Sequence, residues 1–199
     1  HPANVCASVK DPKLVYDLSP RATVAFDDIV ESMFGDGLGS IDVVALEGAI
    51  PAIIARVYDD QTTGTNGTGV PLVDICEALV EGEYASLIVP GNLSRFRFNL
   101  GIRTLSAGAT VKLTVWAEDG AERSSVVRSY GPDFFQQQAV VDVVGTVAAN
   151  DSIAVEVMAG SAVLYGSMTD SSTNDPAIQV AEPDGDEPEI GSRRSVRRN

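Results

Sequence analysis

The stretch from Ala162 to Val180, AVLYGSMTDSSTNDPAIQV, constrains the fold more than any other part of the chain. It reads as an apolar strand, then a turn dense in Asp, Ser, Thr and Asn, then Pro176 and a short final strand. Those polar side chains close turns by hydrogen-bonding their own backbone. The segment therefore predicts the closing hairpin of a β-sandwich. It contains no nucleophile motif, metal cluster or phosphate loop.

The same reading extends upstream. From Arg95 to Leu100 the residues alternate: Phe96, Phe98 and Leu100 fall on one face, Arg95, Arg97 and Asn99 on the other. This period of two marks a half-buried strand. Thr110–Ala117 follows, with Val111, Leu113, Val115 and Ala117 on one face, and Glu118-Asp119-Gly120 signals a turn before a hairpin partner at Ser124–Tyr130. Further strands are expected at Ala22–Phe26, Ile41–Leu46, Ala52–Tyr58, Ser86–Val89 and Phe134–Val144. Ile153–Met158 and Ala162–Met168 read as a hairpin around Ala159-Gly160-Ser161. Asp59–Gly69 reads as a long polar loop, and Pro71–Val80 as irregular structure with a helical turn. One short helix is expected at Ile29–Phe34, capped by Asp27 or Asp28 and ended by Gly35, Gly37 and Gly39. Aromatics are few, at 6%, while the abundant valines favour pleated sheets. The fold class is all-β: an antiparallel two-sheet sandwich with one short helix and irregular N- and C-terminal arms. The expected division is an N-terminal arm over 1–20, a β-sandwich domain over 21–180 and a charged tail over 181–199. The tail, acidic and Pro-rich before an Arg-rich end, buries too little apolar area to offset its ordering entropy.

The formal charge is −14, with a pI near 4.3, so the surface repels phosphate backbones and nucleic acid is excluded as a partner of the body. No run of 18 apolar residues predicts a membrane span. The start at His1-Pro2, without Met, is expected of a chain that has lost a signal peptide or of a fragment. Two cysteines, Cys6 and Cys76, in such a chain suggest one disulfide in an oxidising compartment. Two Cys and one His do not make a usual structural zinc site.

The inventory of chemistry is thin. A terminal His invites a copper brace, but His1 is the one histidine of the chain and the brace needs a second imidazole. The same count removes a serine triad built on an internal His. Asp27-Asp28 and Asp59-Asp60 are adjacent carboxylate pairs, but neighbours on a strand point to opposite faces, and capping and loop solvation account for them. Asp170, Asn174 and Asp175 are weak calcium candidates. Their spacing is not that of an EF-hand, and turn closure is the favoured role. Arg56 and Arg97 sit in apolar strands, where each either pairs with an Asp of the closing hairpin or points to solvent. Asn66, Asn92 and Asn150 open glycosylation sequons. No cofactor and no catalytic residue are expected.

Four patterns recur in order: Val24-Ala25-Phe26-Asp27-Asp28 with Met33-Phe34-Gly35; Ala55-Arg56-Val57-Tyr58 before a Thr/Gly loop; Phe96-Arg97-Phe98-Asn99-Leu100-Gly101; and Val163-Leu164-Tyr165-Gly166-Ser167 with Asp170 and Thr173-Asn174-Asp175-Pro176. Together they resemble a recurrent module of secreted bacterial proteins, over Ala22 to Val180. Phe98 stands where that module usually has a polar residue, and Cys6, Cys76 and the Arg-rich tail lie outside the pattern. The resemblance implies a secreted or cell-surface location and a β-sandwich, with no settled enzymatic activity. The expected function is a non-catalytic structural or binding module. A subunit of an extracellular filament is the first alternative, with Leu14-Val15-Tyr16 of the arm adding a strand to a neighbouring sheet. A carbohydrate-binding accessory domain is the second. Self-association or contact with other extracellular proteins is the partner expectation.

Overall fold

The computed structural model describes residues 11–35, 37–62 and 64–183. In chain order the elements are α1 (Ile29–Phe34), β1 (Ala55–Gln61), β2 (Gly64–Val70), a 3-10 turn (Ile75–Glu77), β3 (Leu79–Val80), β4 (Tyr84–Ile88), β5 (Phe96–Trp116), β6 (Glu122–Tyr130), β7 (Phe135–Ala139), α2 (Val140–Val144), β8 (Ser152–Asp170), β9 (Pro176–Val180) and β10 (Glu182–Pro183). The fold is all-β and antiparallel. β1 and β2 form a separate hairpin, and the remaining strands share one sheet whose main path is β10-β4-β8-β5-β6.

That sheet makes a sandwich by folding over on its two long central strands. Along β5 the buried positions are Phe98, Leu100, Ile102 and Thr104, then Ala109, Val111, Leu113 and Val115. Their parity changes from even to odd midway. β8 does the reverse, from Ile153, Val155 and Val157 to Ala162 and Leu164. Strand side chains alternate strictly, so a parity change turns the strand inside out unless residues are inserted. Here the β5–β8 register shifts between Thr104 and Ala109 and again between Thr110 and Val111. These bulges bend both strands at one corner and keep the same face inside. β7 and β9 flank one half of the bent pair, β6 and β4 the other. Side chains from both halves meet in one core, with Leu79, Leu87 and Val89 completing it.

Glycine makes the corner. Gly160 has φ +74° and pairs with Ala109, and a Cβ there would overlap the Gly108 carbonyl. Gly108, at φ +71°, faces the Tyr130 carbonyl in the same way. Only a residue without Cβ fits either place.

The fold corrects several sequence expectations. Arg95–Leu100 and Thr110–Ala117 belong to one strand, and Ile153–Met158 and Ala162–Met168 to another. Gly160 lies in a bulge held to β5 and does not reverse the chain. Asp59–Gly69 is not a loop: β2 returns along β1, pairing Ala55 with Val70 and Gln61 with Gly64. Val140–Val144 leaves the sheet as a second short helix, burying Val140, Val143 and Val144, which share a helical face. Ala22–Phe26 and Ile41–Leu46 form no strand. By contrast α1 starts where expected, with Asp28 accepting from Glu31 N–H at 2.9 Å, and Gly35 ends it. The closing hairpin, the β5–β6 turn and the helical turn after Pro71 also follow the sequence reading. Buried side chains run from Ala78 to Ala181; between Leu14 and Ile75 the large apolar residues Leu14, Val24, Ile41, Val44 and Ile54 are exposed.

Candidate functional site

The closing turn gathers a polar network. Asp170 ends β8 and is buried. One carboxylate oxygen accepts from Ser172 N–H at 2.8 Å and Ser172 Oγ at 2.6 Å; the other accepts from Arg95 Nε at 2.7 Å. The Ser172 bonds first, then Arg95, hold its carboxyl well below the usual carboxylate range against the opposing effect of burial. The Arg95 guanidinium in turn lies 4.9 Å over the Phe96 ring. Backbone bonds close the loop: Asn174 N–H donates to Asp170 O at 2.9 Å, and Asp170 N–H to Asp175 O at 3.0 Å. Asn174 takes φ +56°, a region Asn tolerates better than most residues.

This turn is also where the N-terminal hairpin docks. Arg97 donates to Asn174 Oδ1 at 2.9 Å, Asn174 Nδ2 donates to Asp59 Oδ2 at 3.0 Å, and Asn66 Nδ2 donates to Thr173 O at 2.6 Å. Asp60 accepts from Thr65 Oγ1 at 3.3 Å across β1 and β2.

The sequence candidates can now be placed. Asp170, Asn174 and Asp175 do share one turn. Both Asp170 oxygens and the Asn174 carbonyl accept from protein donors, two of them guanidinium groups. A cation would have to displace those bonds and sit beside positive charge, so the cluster is built to close a turn. Among the described residues no group of three or more His, Cys, Asp or Glu side chains has metal-holding geometry. The expected Arg–Asp pin exists, but Arg95 makes it; Arg97 reaches Asn174, and Arg56 is exposed on β1. The carboxylate pairs have structural partners: Asp28 caps α1, and Asp59 and Asp60 bind the hairpin and turn. Leu14, Val15 and Tyr16 are exposed, with Tyr16 edge-on to Phe26 at 5.2 Å. Among the described residues Cys76 has no disulfide partner; its thiol is exposed beside Asp74, whose carboxylate pushes it up from its ordinary value. Its expected partner Cys6 lies outside the described residues.

Sequence reasoning missed two features. The motif glycines Gly101 and Gly166 accommodate aromatic rings. A Cβ on Gly101 would overlap Tyr165, its cross-strand partner, and one on Gly166 would overlap Phe98. Tyr165 donates to Gln137 Oε1 at 2.6 Å, and burial pushes its hydroxyl up to about 12. The second is a half-open apolar cleft of about 280 Å³ between Ile88, Pro90, Phe98, Met168 and Ile178. That lies just below the roughly 300–1,000 Å³ typical of small-molecule sites.

No protein-family model and no curated protein matches the chain. Among solved structures, the crystal structure of Thermotoga maritima 1070 is similar at 17% identity and a TM-score of 0.38, covering 53% of this chain and 95% of that one. Among the described residues no helix is long and apolar enough to cross a membrane.

Proposed function

We propose that this chain is a non-catalytic structural or binding module of a secreted or cell-surface protein, acting through protein–protein association. One observation carries the reading. The segment from Leu14 to Ile54 presents Leu14, Val15, Val24, Ile41, Val44, Leu46 and Ile54 to solvent ahead of a well-packed sandwich. Apolar surface on that scale marks an interaction site. The carboxylates that could serve acid–base chemistry cap a helix or hold a turn, and the one histidine stands at residue 1. The strongly acidic surface and the motif resemblance support an extracellular setting.

The filament reading is the specific form of this proposal, with Leu14-Val15-Tyr16 as the added strand. Both are tested by light scattering on the full chain and on a chain lacking residues 1–20. Association that rises with concentration is the expected result for the full chain. Its loss on truncation supports strand addition by the arm, and its persistence assigns association to the residues after 20. A full chain that stays a monomer at every concentration rejects the proposal. A Cys6–Cys76 bond would hold the first residues of the arm near the sandwich. Intact-mass analysis with and without reductant tests it, and two alkylatable thiols in the unreduced protein exclude it.

A further inference from the structure

The exposed apolar residues of the N-terminal segment fall into a pattern that the sandwich repeats. α1 ends at Gly35 (φ 76°, ψ −162°), whose N–H donates to Glu31 O; α2 ends at Gly145 (φ 83°, ψ −128°), whose N–H donates to Val141 O. After each helix comes a matching stretch, Ser40-Ile41-Asp42-Val43-Val44-Ala45-Leu46-Glu47-Gly48 in one case and Ser152-Ile153-Ala154-Val155-Glu156-Val157-Met158-Ala159-Gly160 in the other. Gly48 and Gly160 both have φ +74°. A hairpin then follows, and its register agrees: Ala55 pairs with Val70 as Tyr165 pairs with Val180, and Arg56 with Gly69 as Gly166 with Gln179. The spacing from Gly35 to Val70 equals that from Gly145 to Val180, with the Ser-to-Gly stretch two residues nearer the helix in the first copy, and Asp60 stands where Asp170 stands. Helix, apolar stretch, positive-φ glycine and hairpin thus occur twice, the stretch being a paired strand only in the second copy.

The two copies differ in what covers them. Ile153 and Val155, on β8 between β5 and β4, are 0% exposed; their counterparts Ile41 and Val43 are 46% and 45% exposed. Leu164 is 1% exposed and its counterpart Ile54 is 94% exposed. In the covered copy, β5 runs along the whole of β8, with β6 on the outer edge of one half and β7 on that of the other. Residues 11–23, the described chain ahead of the exposed copy, form no strand.

We propose that residues 24–70 are the second half of another copy of the sandwich unit, and that their apolar face receives an antiparallel ribbon of the β5–β6 kind. The chemistry is the one β8 already uses. A long inner strand with apolar residues at alternate positions pairs with Ile41–Leu46 and Ala55–Gln61 and buries Ile41, Val43 and Ile54. Its outer edge is closed by a second strand. The inference rests on the reading of this segment as an association surface, and names what it takes up.

The test replaces residues 1–23 with a second copy of residues 78–133, which supplies that ribbon ahead of Val24. Hydrogen exchange by mass spectrometry follows the amides of 41–46 and 55–61. In the enlarged chain they are expected to slow by at least tenfold relative to the parent, and Val43→Asp should reverse the gain while leaving β8 protected. Unchanged exchange of these amides in a chain whose original β5 and β8 remain protected overturns the proposal. A second readout does not depend on stability: with Cys6 and Cys76 replaced by Ser, a cysteine at Val43 should form a disulfide with one at the added copy of Leu113, the partner of Val155. No crosslink there, or an equal yield at the added Lys112, also overturns it. A parent chain that is a strict monomer while the enlarged chain gains protection rejects association by the parent and leaves the repeat standing. An associating parent with no gain on enlargement does the opposite.

Discussion

At the scale of single residues, the motif glycines and the polar turn of this chain serve packing and turn closure. Gly101 is not needed for its dihedral angles but for the Tyr165 ring that lies across it. Gly101→Ala should cost about 1–3 kcal/mol by overpacking, read as a lower urea midpoint, and much less in a Tyr165→Ala background. Equal costs in both backgrounds would deny the ring contact. Tyr165 also sets an alkaline limit. Its hydroxyl titrates at about 12 in the fold, against about 10 unfolded. The neutral form is therefore favoured by folding, and its contribution is complete below pH ~10 and lost as pH rises through 12. Tyr165→Phe should flatten the stability profile in that window. Asp170 works with the opposite sign. Its carboxyl lies below the usual range in the fold, so the stability it adds is present above pH ~4, its unfolded value, and is lost as pH falls through the folded value. Asp170→Asn should lower the denaturation midpoint at pH 7, with the difference from the parent shrinking toward pH ~2.

At the scale of elements, the corner in β5 and β8 decides the fold. Gly160→Ala places a Cβ at positive φ against the Gly108 carbonyl, and a loss of roughly 2–4 kcal/mol is expected by chemical denaturation. Gly82→Ala, also at positive φ but in open space, should cost less. An equal cost would mean that the corner carries no special strain. This corner also marks where the sequence stopped being legible. Alternation identified both halves of β5 and β8, because a half-buried strand writes its period into its side chains. Whether Ala159-Gly160-Ser161 reverses the chain or merely bends it depends on pairing with β5, far away in sequence. The β1–β2 hairpin hid for a related reason: GTNGTGV has too few apolar residues to show a period, and backbone pairing alone makes it a strand. The closing turn was readable because Asp, Ser, Thr and Asn bond locally. Its Arg95 anchor was not, since Arg95 and Asp170 meet only through strand pairing.

At the scale of the molecule, the chain divides into a covered sandwich and an uncovered segment that repeats half of its plan. Sequence reading placed α1 correctly and offered Asp27 or Asp28 as its cap, of which Asp28 serves. It took Ala22–Phe26 and Ile41–Leu46 as strands because they carry strand residues, and in this structure neither pairs with a neighbouring strand. Their exposed valines and isoleucine are the physical basis for the proposed association role. The most direct measurement is hydrogen exchange on the intact protein at low and high concentration. The account predicts that amides of β5 and β8 are protected throughout, while those of 41–46 and 55–61 exchange quickly when dilute and slow as the chains associate. Association that leaves those amides exchanging at their dilute rate would contradict it.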